Sequence, residues 1–265
     1  CCFWWFESSI LDYNKLTSFR FLSAYLKGKT NKILAILSAI GSRVLYEDNH
    51  LIAINKLPSE IVQGDKTGDK PLSEEVKSFL KEKYSKPGNV FTGVIHRIDR
   101  PVSGVIIFAK TSKGLTRMNE LLKNHGLKKT YWAIVQNRPE FESGEIIHHL
   151  VRDQRKNKSF ASKNPKAGSK EAILNYKLIG ESNNYFLLEV DLKTGRHHQI
   201  RCQLSAIGSP IKGDLKYGSP RSNKDASISL HARQLEFMHP IKKEVVSIIA
   251  SPPQDSLWNF FSNTV

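Results

Sequence analysis

His96-Arg97-Ile98-Asp99-Arg100-Pro101-Val102-Ser103-Gly104, followed without a break by Val105-Ile106-Ile107-Phe108-Ala109, is the stretch around which this chain is organised. Arg97 and Arg100 flank a carboxylate, and nearby cations favour its charged form. Pro101, Ser103 and Gly104 close a turn, and the apolar run after them reads as a strand. An Asp held in this way is placed to act as a nucleophile. Asp is also a common turn former, and on these nine residues alone the turn reading is the stronger of the two.

Working outward, residues 44–48 and 51–56 are short strand-like runs separated by Asn49-His50, which predicts a hairpin. Pro71 marks a helix start, and Leu72, Val76, Phe79 and Leu80 share one face of a helix ending near Tyr84. Further upstream, Phe19, Leu22, Leu26, Ile33, Leu37 and Ile40 stand at roughly helical spacing, so residues 1–42 read as a helical extension. Downstream of the apolar strand, Leu115, Met118, Leu121 and Leu122 mark an amphipathic helix, with Gly126 placed to cap it. Residues 130–136 alternate: Tyr131, Ala133 and Val135 point one way, Trp132 and Ile134 the other.

Residues 152–170 lack hydrophobic periodicity and read as a basic loop or irregular hairpin. A strand pair is expected at 172–179 and 185–192. Thr194-Gly195 then turns the chain into a helix with Ile200, Leu204 and Ile207 as its buried stripe, ended by Gly208 and Pro210. Arg201 lies one position past a stripe residue, about 100° round the helix, which puts it at the edge of a pocket. Two more strands, at 227–237 and 245–250, precede Asp255, an N-cap for a closing helix with Leu257, Trp258 and Phe261. Hairpins with a few helices between them indicate an α+β fold with a largely antiparallel sheet.

The chain carries 40 Lys and Arg against 25 Asp and Glu, a net charge of +15, which points to an anionic partner. Residues 152–177 contribute +6 and residues 190–221 a further +4, and this clustering favours a surface that tracks phosphates. Three cysteines, Cys1, Cys2 and Cys202, make no disulfide framework, so a reducing, cytoplasmic compartment is expected. No apolar run approaches the ~18 residues of a transmembrane helix. The adjacent pairs His148-His149 and His197-His198 diverge on strand or helix, so neither makes a two-His ligand set and no metal is expected.

Four stretches, in order, resemble the RluA-like pseudouridine synthases. They are the His96–Gly104 motif; Lys129-Thr130-Tyr131-Trp132-Ala133-Ile134-Val135; Thr194-Gly195-Arg196-His197-His198-Gln199-Ile200-Arg201; and Pro210-Ile211-Lys212-Gly213-Asp214. Ile98 stands where Leu is commoner, and Gln203 where relatives often carry His. The resemblance spans about residues 43–250, implying a synthase domain over 43–265 without a recognisable S4-type RNA-binding domain ahead of it. It implies a curved, mixed sheet around a catalytic cleft, and an RNA partner, ribosomal or transfer, acted on without cofactor; a monomer is the default expectation. Asp99 would be catalytic, Arg201 would hold its carboxylate, Tyr131 would stack on the uracil, and Arg97 would fill the gap left by a flipped base. Arg196, Lys193 and Lys212 are assigned to phosphates. The alternative is a non-catalytic RNA-binding protein with a vestigial site. A metal-dependent nuclease is a third, disfavoured because Asp99 and Asp214 lie in basic surroundings.

Overall fold

The computed structural model describes residues 39–265 throughout, with Leu34 and Leu37 ahead of them. The helical positions expected at Phe19, Leu22, Leu26 and Ile33 lie outside the described residues. Residues 39–41 are helical, and Ile40 is buried in the main core.

Eleven strands form one mixed sheet. β1 (Val44–Glu47) and β2 (Leu51–Lys56) make the expected antiparallel hairpin. Helix α1 (Leu72–Lys83) follows with Pro71 as its N-cap, one position earlier than a first helical residue. β3 (Gly93–Val94) leads through the Asp99 loop into β4 (Ser103–Ala109). All seven β4 residues are buried, as a near-continuous apolar run requires when a strand is covered on both faces.

Helix α2 (Ser112–Lys123) ends in a Schellman turn, with His125 in the left-handed position and Gly126 donating its N–H to the Leu121 carbonyl at 2.9 Å. The cap expected of Gly126 is therefore shared, and His125 carries the positive φ. β5 (Leu127–Val135) sends Tyr131, Ala133 and Val135 into the main core and Trp132 and Ile134 into a second cluster with Trp258 and Phe261 of α4 (Ser256–Ser262). Asp255 caps α4 by accepting from the Leu257 and Trp258 N–H groups, each at 2.9 Å.

The second half of the sheet comprises β6 (Ser143–Asp153), β7 (Lys158–Ser162), β8 (Lys170–Glu181) and β9 (Phe186–Leu192). The basic stretch beginning at 152 is thus a hairpin of β6 and β7, with β7 at the end of the strand order. β10 (Leu230–Met238) joins the two halves, antiparallel to β5 and parallel to β4, and β11 (Val245–Ile249) pairs with it. The parallel contact is short: Ser103 opposite His231 and Gly104 opposite Ala232. Gly104 has φ +117°, and a Cβ there would overlap the Ala232 backbone, so only Gly lets β10 close on β4. Among the described residues no helix is long and apolar enough to cross a membrane.

His231 seals this junction. Its Nε2 donates to the Ala250 carbonyl at 3.0 Å, which leaves Nδ1 to accept from the Ser103 hydroxyl at 2.9 Å. Burial pushes its pKa down to about 4. The unfolded chain takes up a proton at this imidazole below about pH 6.5 while the folded chain does not, so stability falls as pH drops through that range. Urea unfolding at pH 7 and pH 5 is expected to differ by about 1–2 kcal/mol from this residue alone, and His231→Asn should remove that part of the slope.

Candidate active site

Asp99 stands in the loop between β3 and β4, and its backbone is held at every step. The Asp99 carbonyl accepts from Val102 N–H at 3.0 Å, Arg100 from Ser59 N–H at 2.9 Å, and Pro101 from Ile228 N–H at 3.2 Å. Lys56, at the end of β2, has no exposed surface and donates from Nζ to the carbonyls of Leu57 (2.9 Å), Arg100 (3.0 Å) and Val102 (2.6 Å). Burial pushes its pKa down to about 8, against the opposing charges of Glu60 and Asp99. An ammonium with three donors and three carbonyl acceptors is fully satisfied without water. His96, at the head of the motif, accepts from the Ile107 N–H at 3.4 Å and so ties the loop's entry to β4.

The Asp99 side chain meets Arg201 of helix α3 (Gln199–Ala206). Arg201 Nη1 donates to Asp99 Oδ2 at 2.9 Å, while Nε and Nη2 form a fork on Asp214 at 2.6 and 2.9 Å. Arg201 was expected at a pocket edge on a helix with one buried stripe. Instead, every residue from Gln199 to Leu204 is buried and the Arg201 side chain is only 6% exposed. Burial opposes its charge, but the hydrogen bonds and charge of Asp214, then Asp99, outweigh it and hold the guanidinium well above its usual pKa. The two carboxylates differ sharply: Asp214 is 1% exposed and Asp99 30%. Gln203 secures the same helix, its amide donating to the Ile146 and Ala172 carbonyls at 3.1 and 3.0 Å, so the sheet is its partner at this departure from the usual His.

Tyr131 lies nearby on β5, paired across the backbone with Ala232 and Val190. Burial, then the charge of Asp99, raises its pKa, so its ring is a neutral phenol close to that carboxylate. His198 completes the surround, with Nε2 at 3.5 Å from Asp99 Oδ2. Burial pushes its pKa down to about 3 despite the neighbouring Asp99. Of the other residues singled out, Arg97 is exposed and makes no ion pair among the described residues. Arg196 donates from Nε to the Glu171 carbonyl at 2.8 Å, and Lys212 to Asn223 at 2.6 Å. Lys193 is engaged by Asp191 two residues earlier at 2.5 Å, so its charge is partly answered within the chain. Cys202 is a buried free thiol whose pKa burial raises to about 11. Among the described residues no group of three His, Cys, Asp or Glu is arranged to hold a metal.

The profile of the RNA pseudouridylate synthase family matches residues 50–206. The chain belongs to this family. It is 32% identical over 223 residues to ribosomal large subunit pseudouridine synthase D of Zymomonas mobilis, covering 80% of this chain and 69% of that one. It is 30% identical over 234 residues to tRNA pseudouridine synthase C of Vibrio parahaemolyticus, covering 81% and 92%. These relatives put it in the RluA-like branch. Against an RNA pseudouridine synthase of Synechocystis, slr1629, it is 31% identical and spans 65% of that protein's length. Among solved structures, human RNA pseudouridylate synthase domain containing 4 superposes with a TM-score of 0.71 at 22% identity, over 89% of this chain and 96% of that one, so the synthase fold is shared.

Three residues around this synthase-family site, Asp214, Lys56 and His198, went unassigned in the sequence. Asp214 had a signal, since it ends the fourth motif. Lys56 had none beyond closing a strand. Lys56→Met keeps the bulk but takes the ammonium donor from the Leu57 and Val102 carbonyls, while Arg100 keeps the Ser59 N–H, and is expected to lower unfolding free energy by about 3 kcal/mol, read from urea midpoints at pH 7.

Proposed function

We propose that this chain is an RNA pseudouridine synthase that isomerises a uridine of ribosomal or transfer RNA, with Asp99 acting on the sugar. The reaction breaks the C–N glycosidic bond, turns the uracil and rejoins it through carbon. Substrate and product have the same composition, so no redox partner is needed. The observation that carries the reading is the asymmetric restraint of Asp99: one carboxylate oxygen is bound by Arg201, while the side chain keeps an exposed fraction beside the Tyr131 ring.

The target base must leave its stack before a recessed carboxylate reaches its sugar, at a cost of a few kcal/mol. Arg97, exposed two residues before Asp99, is suited to occupy the vacated space. Tyr131 offers an aromatic face to the extruded base, a contact that tolerates sequence. Arg196, Lys193 and Lys212 position phosphates, and the basic β6–β7 hairpin extends that surface. The protein acts as a monomer in the cytoplasm on this reading. Relatives named for ribosomal and for transfer RNA support both substrate classes equally.

Pseudouridine mapping in total RNA from cells lacking the gene should show one or a few sites lost, restored by the wild type and not by Asp99→Ala. Purified Asp99→Ala should bind that RNA within a few-fold of wild type, because affinity rests on Lys and Arg contacts to phosphate. Turnover by Asp99→Ala at the wild-type rate would overturn the assignment.

A further inference from the structure

Behind His198 lies a chain of polar contacts that the motif comparison does not explain. Tyr217, in a 3-10 turn after Asp214, points its hydroxyl at His198 Nδ1, 3.0 Å away. The same hydroxyl oxygen accepts the Ser159 N–H at 2.8 Å, from strand β7. Tyr217, His198 and Ser159 are all buried. Among the described residues the hydroxyl proton has one acceptor, His198 Nδ1, because the other contact of that oxygen is itself a donor. Donation of that proton leaves Nδ1 unprotonated, and a neutral imidazole with Nδ1 bare carries its proton on Nε2. Nε2 is the nitrogen that faces Asp99 Oδ2 at 3.5 Å.

A stacking contact also holds the ring in place. His197 stacks on it with centroids 3.8 Å apart, and His197 is itself pinned by the Ser159 hydroxyl. The Arg201 guanidinium lies 5.1 Å over the Tyr217 ring, so one aromatic side chain touches both groups that hold Asp99. His198 also occupies the left-handed region, φ +52°, as the N-cap of α3, a conformation that its surroundings impose.

We infer that Tyr217 is a positioning residue: it fixes His198 as the Nε2–H tautomer, and His198 and Arg201 together restrain Asp99 Oδ2, which leaves Oδ1 as the oxygen that reacts. This rests on the reading of Asp99 as catalytic. Among the described residues Oδ1 has no hydrogen-bond partner, whereas Oδ2 faces both donors. The 3.5 Å separation is long for a hydrogen bond, as catalytic contacts often are before substrate binds. The imidazole stays neutral near pH 7, so it directs the carboxylate as a dipole and does not neutralise it.

Imidazole 15N spectra of the wild type, with His198 assigned by its loss in His198→Gln, test the geometry independently of any activity. The expected result is a protonated Nε2 and bare Nδ1 between pH 6 and 8, a mixed tautomer in Tyr217→Phe, and a shifted Nε2–H signal in Asp99→Asn. Nδ1–H in the wild type, or no response to Asp99→Asn, overturns the proposal even if the protein is an active synthase. If no RNA is isomerised the function reading fails, and these spectra still decide the tautomer. With activity, Tyr217→Phe should lower kcat roughly 10- to 100-fold and leave KM for RNA within twofold. In a His198→Gln background, whose amide donates without a tautomer, the same substitution should change kcat less than threefold. Equal losses in both backgrounds would mean that Tyr217 acts only as packing, and the proposal would fall.

Discussion

One buried guanidinium, shared between two unequal carboxylates, is the constraint on which this molecule depends. Arg201 is almost wholly removed from water, and a charge in that position is tolerated only when its donors are matched. Asp214 takes two of them in a fork and is itself sealed, which makes it the structural counter-ion. Asp99 takes a third and keeps solvent access. The same contact joins the β3–β4 loop to two later segments about a hundred residues on, helix α3 and the stretch after Pro210.

That segment is anchored in turn. The Lys212 N–H donates to the Ile134 carbonyl at 2.9 Å and Ile211 bridges Val135, so Asp214 is registered against β5, the strand that presents Tyr131. The loop of Asp99 is registered against β2 through Lys56. Groups that meet at the site are therefore anchored to one sheet, directly or through a segment hydrogen-bonded to it, and little reorganisation remains for the moment when a substrate arrives.

Much of this was legible in residue order because it is local. The two-residue alternation of β5 sorts its side chains between two cores, and Asp255 caps α4 through atoms two and three residues away. What escaped depends on pairing. β6 has no clean alternation, since Glu145, Ile147 and His149 on its outer face mix apolar with polar residues, and Ile147 is 48% exposed. The roles of Lys56, Asp214 and Tyr217 exist only once loops and helix α3 are packed together in the folded chain. His125 takes a left-handed cap beside a glycine because the α2 Schellman geometry sets the position by count, not by residue type.

The parallel contact of β4 with β10 also gives the molecule an order in time. The loop carrying Asp99 leaves the ribosome roughly 130 residues before β10, and of the strands made in between, β6 to β9 pair among themselves and with β5, whose other edge waits for β10. Until His231 and Ala232 arrive, β4 lacks its neighbour and Gly104 faces empty space. A nascent chain can thus possess every residue of the loop and still hold no assembled centre. Closure of the sheet by nearly its last strand is the event that matures the site, and a chain cut short before β10 would keep much of its basic surface while lacking the means to act.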